Sequence, residues 1–451
     1  MNKHLKYMQN KELNYKKNLV YLGISADIFH HGHINIITKA KKFGRLVIGL
    51  LTDEAVSEKK RIPMLNWEQR YQILSNISGV YKIVKQEEWD YSKNLLKYKP
   101  QIFVHGDDWK SKHSYDYKTR AKVVKILKKI NCRLVEIPHT KNVSSSIIYD
   151  KIKHLNVDPQ SRSNRLRKII NTKNFCRIIE THSPLSALIA ENTIYREKNG
   201  ELSEFDGFWS SSLTDSTLKG KPDIEVLELN QRINNISEIL DVTTKPLIMD
   251  ADTGGKTEHF QINIKSIERM GVSAVIIEDK KGLKKNSLLG TKTKQEQENI
   301  KTFSNKIRVG KKSCSLDNLM LIARIESFIL NKGLADALKR ADAYVNAGAD
   351  GIMIHSKDKS PKEVIKFSNK FKKKYPNIPL VAVPTSYNKI KEKSLINSGV
   401  NIIIYANHLL RASYPAMINT AYEILKNKRS FEAEKKLLSI NKILKLIPGT
   451  N

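Results

Sequence analysis

Two histidines, His30 and His33, stand three residues apart in GISADIFHHGHINII, after an apolar run and ahead of a stretch with helical spacing. Paired imidazoles beside exposed helix N–H groups suit phosphate oxygens. Gly32 between them lets another group approach closely. Zinc is a second reading, although no third ligand lies nearby, and a purely structural pair is a third. Spacing leaves all three open. A different constellation occupies the second half: Asp250 and Asp252 in MDAD, Glu278 in IIEDKKGLKKNS, Arg324 in ARIE and His355 in MIHS. Two residues apart on a strand, Asp250 and Asp252 share a face. Their oxygens suit magnesium, and buried together without a cation they would repel. Arginine, histidine, lysine and a divalent cation in one mouth point to an anionic substrate bearing carboxylate and phosphate. Taken singly, these residues have plainer readings, a solvated acidic loop and an Arg324–Glu326 ion pair.

LVYLGI and RLVIGLL read as short buried strands around the amphipathic INIITKAKKFG, in which Ile34, Ile37 and Lys41 recur at helical spacing. TDEAV reads as a capped helix start, and QIFVHGDDW and CRLVEIP supply later strands. This predicts a small parallel, Rossmann-like α/β domain over residues 19–150, after a basic extension at 1–18. Polar, basic residues 151–173 read as a linker with some helix. From 174 to 451, CRIIETH, GFWSSS, PLIMDAD, AVIIED, LMLIARIE, GIMIH, LVAVPT and NIIIYAN are apolar runs with polar endings. Amphipathic stretches separate several of them. Eight such units predict a (β/α)8 TIM-type barrel with C-terminal helices, its chemistry at the strand C-termini. A doubly wound sheet is the competing arrangement.

The 451 residues suit two or three domains, and the 40% hydrophobic content supports real cores. Cys132, Cys176 and Cys314 lack metal-ligand spacing, which with the absence of a signal-peptide-like start predicts a reduced, cytoplasmic chain. No 18-residue apolar stretch exists, so no stable membrane insertion is expected. The formal net charge of +33 is spread over helix surfaces rather than gathered in a block, and no aromatic platform interleaves the lysines. Nucleic acid is therefore not an expected partner.

The first set of motifs resembles the HxGH cytidylyltransferases that activate glycerol phosphate, choline phosphate and related head groups. His30, Gly32 and His33 match the signature, and Asp27 stands where that family has its aspartate. RIPMLNWEQR resembles the block whose arginine binds phosphate, here Arg70. VHGDDWK supplies Asp107, Asp108 and Trp109. TKNVSSSII resembles the closing segment, with Ser144 and Ser145 in place, Asn142 for a glycine and Ser146 for a threonine. The resemblance implies attack on the α-phosphorus of CTP with release of pyrophosphate. His30, His33, Arg70 and a lysine of SEKKR would meet the phosphates, with magnesium near Asp27.

The second set closely resembles the phosphoenolpyruvate mutases. EDKKGLKKNS matches their gating loop at Glu278, Asp279, Lys280, Lys284, Asn286 and Ser287. GFWSSSLT matches their substrate segment at Trp209, Ser211 and Leu213, and Asp223 matches a further active-site aspartate. In ETHSPLSA, Pro184 replaces a family glycine, so a differently shaped turn is expected there. The resemblance implies that Asp250 binds magnesium directly and Asp252 through water, with the acids of EDK forming the metal-site wall. Arg324 and His355 would hold the organic acid and the migrating group, while Asn286 and Lys284 grip the phosphoryl group. The isocitrate and methylisocitrate lyases of the same superfamily use a cysteine in the gating loop, and this loop has none. A phosphonopyruvate hydrolase shares much of the site.

Together the resemblances imply a fused mutase and phosphonate cytidylyltransferase acting on small phosphonates and phosphate esters. 2-Aminoethylphosphonate is the leading acceptor, with phosphocholine or glycerol phosphate as alternatives. A basic scaffold with degenerate sites is the non-enzymatic alternative. A homo-oligomer, dimer or tetramer, is implied by resemblance. So is dependence on a separate phosphonopyruvate decarboxylase and an aminotransferase, because the mutase equilibrium favours phosphoenolpyruvate.

Overall fold

The computed structural model describes residues 18–111, 114, 116–140, 144–145, 148, 158–282 and 284–447. The basic extension, Asn142, Ser146 and residues 151–157 of the expected linker therefore lie outside the described residues, except Asn18.

Five apolar runs form one parallel sheet: β1 (Leu19–Ile24), β2 (Arg45–Leu51), β3 (Val80–Gln86), β4 (Ile102–Gly106) and β5 (Arg133–Ile137). Their order is β3-β2-β1-β4-β5. The order reverses between β1 and β4, and ligands of open α/β sheets bind beyond the strand ends at such a switch point. β1 leads directly into the SADIFHHGH loop and β4 into Asp107–Trp109, so the topology brings both motifs to one crevice. The helix His31–Ala40 buries Ile37 and Ala40, whereas Ile34 is exposed, so the apolar stripe is narrower than the expected spacing. Thr52 caps the helix Asp53–Ser57, accepting a hydrogen bond from the Ala55 amide.

A hairpin, β7 (Ile194–Arg196) and β8 (Leu202–Glu204), groups with this unit, as do residues 167–174. Lys59 Nζ donates to the Asn199 carbonyl at 2.5 Å and the Leu202 amide to the Glu58 carbonyl at 3.3 Å. Residues 158–173, expected as linker, form the helix Pro159–Lys173 after Asp158.

The second unit is a closed barrel. β6 (Cys176–Glu180), β9 (Gly207–Ser210), β10 (Leu247–Asp250), β11 (Ala274–Glu278), β12 (Met320–Ile325), β13 (Gly351–Ile354), β14 (Leu380–Ala382) and β15 (Ile402–Tyr405) follow one another in parallel and close from β15 to β6. Each coincides with one of the eight apolar runs. Alternation then dictates what lines the interior. Phe208, Met249, Val275, Ile277, Leu321, Ala323, Ile352, Ile354, Leu380, Ala382 and Ile403 join the core cluster that packs beneath the helices. Their neighbours Trp209, Asp250, Glu278, Arg324, Met353 and His355 therefore take the opposite side. Glu278 and Arg324 are direct register partners. At the substituted turn, Pro184 is the first residue of the helix Pro184–Asn192, a position proline favours, and the Ser183 hydroxyl accepts from the Ser186 amide at 3.2 Å. Among the described residues, no helix is long and apolar enough to cross a membrane.

Candidate active sites

In the first unit His30 caps the helix His31–Ala40, and both imidazoles serve the cap. His30 Nδ1 accepts from the Gly32 amide at 3.1 Å, and His33 Nδ1 accepts from the His30 amide at 3.2 Å. An accepting Nδ1 carries no proton, so each neutral ring holds its proton on Nε2. The ring centroids are 3.9 Å apart. Burial, then neighbouring His30 and Lys60, brings the His33 pKa down to about 3, and burial likewise lowers that of His30. The pair is thus a neutral donor set at a helix N-terminus, where phosphate oxygens are favoured. Ala26 and Ile28, in the loop before it, have positive φ of 52° and 47°, costly for side chains with a Cβ and typical of functional loops.

Asp27 Oδ1 accepts from the Met64 amide at 2.9 Å, its Oδ2 lies 3.4 Å from Arg61, and its carbonyl accepts from the Ser145 hydroxyl. Ser144 lies beside Ser145 in the closing segment. Of the SEKKR lysines, Lys59 is taken by the hairpin carbonyl, whereas Lys60 lies within electrostatic reach of His33, Asp27 and Asp108. Burial lowers the Lys60 pKa, with Asp116 and Asp108 opposing it. Arg70 differs from the expectation of a phosphate ligand. It is fully buried, pairs with Asp53 at 2.5 Å and donates to the carbonyls of Leu65 and Ser25, so it braces the loops beneath the crevice; Arg61 is the arginine beside Asp27. Trp109 is also core: 1% exposed, stacked on His105 at 3.6 Å and bonded to Glu136. Asp107 accepts from the His139 amide at 2.8 Å, and Asp108 remains exposed beside His105.

The depressed His33 pKa fixes a pH dependence. Its folded value lies below the ordinary 6.5, so protonation favours the unfolded chain. The stability it contributes is complete above about pH 6.5 and is lost as pH falls toward 3. We expect His33→Asn, which keeps an acceptor for the His30 amide but cannot titrate, to lose less protection than the parent between pH 7 and 5. Native-state hydrogen exchange over residues 19–140 checks this.

In the barrel, Trp209, Ser211, Leu213, Asp223, Asp250, Lys284, Asn286, Ser287, Arg324 and His355 line one cavity of ≈ 60 Å³ at the strand C-termini. The segment that carries Lys284, Asn286 and Ser287 lies along it. Lys284 Nζ lies 2.7 Å from Asp252, 3.3 Å from Asp250 and 3.5 Å from Asp223, and it donates to the Ser212 hydroxyl. Although burial opposes ionisation, that ammonium, then Arg324 and Arg232, holds the Asp250 carboxyl well below the usual range. Asn286 Nδ2 donates to Asp223 at 3.0 Å, and its Oδ1 caps the Leu288 amide. Arg324 donates to Glu326 and to Ser287, both at 2.6 Å, and lies 3.2 Å from Glu278; it therefore both forms the plain ion pair and faces the cavity. His355 is buried with neither ring nitrogen bonded to protein, and burial, then Arg324, lowers its pKa to about 3.

Three expectations need correction. Asp252 lies beyond β10 with φ 55°, so it does not share a strand face with Asp250; the turn, not the pleat, brings them together. Asp279 is not part of the metal-site wall. One residue beyond Glu278, it faces away and accepts from Tyr344 at 2.7 Å, Gln297 at 2.8 Å and Arg340 at 3.2 Å. Lys280 does not line the cavity: it donates to Ser287 at 2.7 Å and to the Lys285 carbonyl, pinning the base of the loop. Sequence reasoning also passed over Arg232, which binds Asp215 at 3.0 Å and Asp252 at 3.3 Å, and Ser212, which donates to Asp250 at 3.0 Å. Their side chains converge only in three dimensions.

The carboxylates suit a divalent cation. Both Glu278 oxygens are buried with no well-formed hydrogen bond, Oε1 3.4 Å from Lys280 and Oε2 3.2 Å from Arg324, and burial raises the Glu278 pKa to about 7 despite these cations. Among the described residues no three ligating side chains form a closed cage. Magnesium typically keeps several waters and takes only one or two carboxylates, a demand that Asp250 with one neighbour would meet.

Comparison with known proteins matches residues 166–425 to the family model described as phosphoenolpyruvate phosphomutase and residues 21–151 to the one described as cytidylyltransferase-like. A phosphoenolpyruvate phosphomutase of Tetrahymena pyriformis is 34% identical over 286 residues, 63% of this chain and 91% of that protein. A phosphonopyruvate hydrolase solved in complex with oxalate and Mg++ is 30% identical with a TM-score of 0.55, covering 63% of this chain and 94% of its own. A glycerol-3-phosphate cytidylyltransferase of Bacillus subtilis (strain 168) is 29% identical over 128 residues, 28% of this chain and 90% of that protein.

Proposed function

Because the chain belongs to the phosphoenolpyruvate phosphomutase family, we propose that its barrel interconverts phosphoenolpyruvate and 3-phosphonopyruvate, and that its cytidylyltransferase-like domain uses CTP to activate a phosphonate, foremost 2-aminoethylphosphonate. The observation that carries the barrel reading is the placement of the loop, which brings Asn286 and Lys284 onto one cavity with Asp223, Asp250, Arg324 and His355. A phosphoryl group that leaves an enol oxygen and returns to C3 survives only where water is excluded. Leu213, Leu288, Met353 and Val383 supply apolar wall.

Magnesium, held by Asp250 and through water by Asp252 and Glu278, would supply positive charge to the pyruvate oxygens. Arg324, braced by Glu326, holds the organic acid. His355, neutral at pH 7, donates a hydrogen bond without adding charge. Asn286 and Lys284 grip the phosphoryl group between its two bonds, a positioning role in which alignment and electrostatics do most of the work. Trp209, Ser211 and Leu213 shape the pocket, while Lys280 and Ser287 hold the loop. Cys132, Cys176 and Cys314 do not line the cavity, which disfavours lyase chemistry. In the first unit the Nε2–H groups of His30 and His33, with Lys60 and Arg61, meet the triphosphate as charge develops. Ser144 and Ser145 complete the donor set.

Hydrolysis of phosphonopyruvate is the second reading, favoured by the likeness to a hydrolase over the whole barrel. Phosphorus NMR of the full chain with magnesium and phosphonopyruvate separates the two. We expect phosphoenolpyruvate to accumulate; inorganic phosphate as the first product would replace mutase with hydrolase. With phosphoenolpyruvate alone, little phosphonopyruvate should appear, since an enzyme does not alter an equilibrium. The reading thus includes a separate decarboxylase and an aminotransferase that draw product onward, a cytoplasmic setting and a homo-oligomer.

A further inference from the structure

We propose that the barrel carries a second ligand site, for an organic anion of nucleotide size, between the helices Ile300–Ser313 and Gly333–Asn346. An open cavity of ≈ 850 Å³ lies there, within the range of small-molecule sites and far larger than the one beneath the loop. Helical spacing sets Lys301, Ser304 and Arg308 in one stripe along its wall, and Lys339 adds a further cation from the second helix. Lys301, Arg308 and Lys339 form no ion pair among the described residues. Of the other charges at the cavity, Glu298 alone is a carboxylate without a cation partner among the described residues. Lys281 pairs with Glu296 at 3.7 Å, Glu298 accepts from the Asn299 amide, and Arg340 holds Asp279 and Asp336. The field left over is positive, and the 14-residue helix Ile300–Ser313 begins at this wall.

Charge alone would describe a wetted lysine face. Two buried groups argue for a ligand. Gln297 and Ser304, 9% and 3% exposed, both line the cavity, yet Gln297 Oε1 and Ser304 Oγ have no hydrogen-bond partner. Folded proteins pair nearly all such atoms. An anion with an N–H or O–H donor answers both features: its phosphates or carboxylates meet the cations, and a small shift of the Gln297 side chain at the cavity wall brings its free carbonyl to that donor. The amide of Gln297 donates to Asp279 and to Ser327, and its backbone pairs with Lys280, the residue that pins the gating loop. A molecule that fixes Gln297 therefore bears on the loop's base. The inference stands independently of either proposed reaction.

Hydrogen exchange of the full chain tests it, titrated with CTP, CMP and inorganic pyrophosphate at constant ionic strength. CTP or CMP should slow exchange in peptides spanning 296–310 and 335–346, and pyrophosphate should do so less. Arg308→Glu should weaken that effect about tenfold or more, the loss of one charge-assisted contact, and Ser304→Ala should weaken it less. Without any probe, peptides covering the barrel strands Met320–Ile325 and Gly351–Ile354 should exchange equally in parent and variants, which shows that the variant barrels are folded. The site is refuted if neither nucleotide protects these helices, if pyrophosphate alone does so, or if Arg308→Glu leaves the titration midpoint unmoved.

Discussion

Asn286→Ala is expected to slow phosphonopyruvate turnover by about 100-fold or more while leaving cytidylyl transfer at the parent rate. The amide has two jobs in the structure. Its Nδ2 bonds Asp223 and its Oδ1 caps Leu288, so it fastens the loop; it also lines the cavity where the phosphoryl group would be detached. Losing a contact that is strongest in the transition state costs about 3 kcal/mol, whereas losing the cap alone costs about 1 kcal/mol. Asn286→Asp separates the two, since it keeps the cap but places negative charge against Asp223 and any phosphoryl oxygen. Steady-state rates of both activities, measured on one preparation, decide the matter. A mutase rate within a few-fold of the parent would remove Asn286 from the mechanism.

His33→Ala should do the converse, reducing CTP turnover by two orders of magnitude or more and sparing the barrel. The substitution removes a phosphate donor and an acceptor that caps the helix. His33→Asn distinguishes these contributions, because its carbonyl can replace Nδ1 but nothing replaces the Nε2–H. If the donor matters, both variants are inactive and only His33→Ala loses helix stability. Pyrophosphate release with CTP and 2-aminoethylphosphonate is the measurement. Parent-like turnover in the asparagine variant would reassign His33 to a structural cap.

The eight barrel strands were legible because each is an apolar run ended by a polar residue, and alternation alone then turns Asp250, Glu278, Arg324 and His355 inward. The same rule, applied one residue further, would have turned Asp279 outward toward Arg340. What alternation cannot read is a residue that a turn or a loop carries away from the strand's own line. Asp252 reaches its place through a left-handed turn, and Lys284 reaches the carboxylates from a loop more than thirty residues away in sequence. Arg70 was misleading for a different reason. A buried guanidinium that braces two carbonyls and an aspartate has the same sequence as one that waits for phosphate, and only its partners tell them apart.

The hairpin that groups with the first unit also sets a schedule. The sheet's last strand is finished at Ile137, but the hairpin ends at Glu204, 204 − 137 = 67 residues later. At about 5–20 residues per second, the ribosome needs several seconds more to deliver it. Until then Lys59 and Glu58 lack the carbonyl and amide that hold them, and the neighbouring Lys60 and Arg61 hang from an unclamped segment. The nascent sheet can therefore form early while the segment bearing Glu58 and Lys59 matures late, only after β6 and the helix Pro184–Asn192 of the barrel have been made.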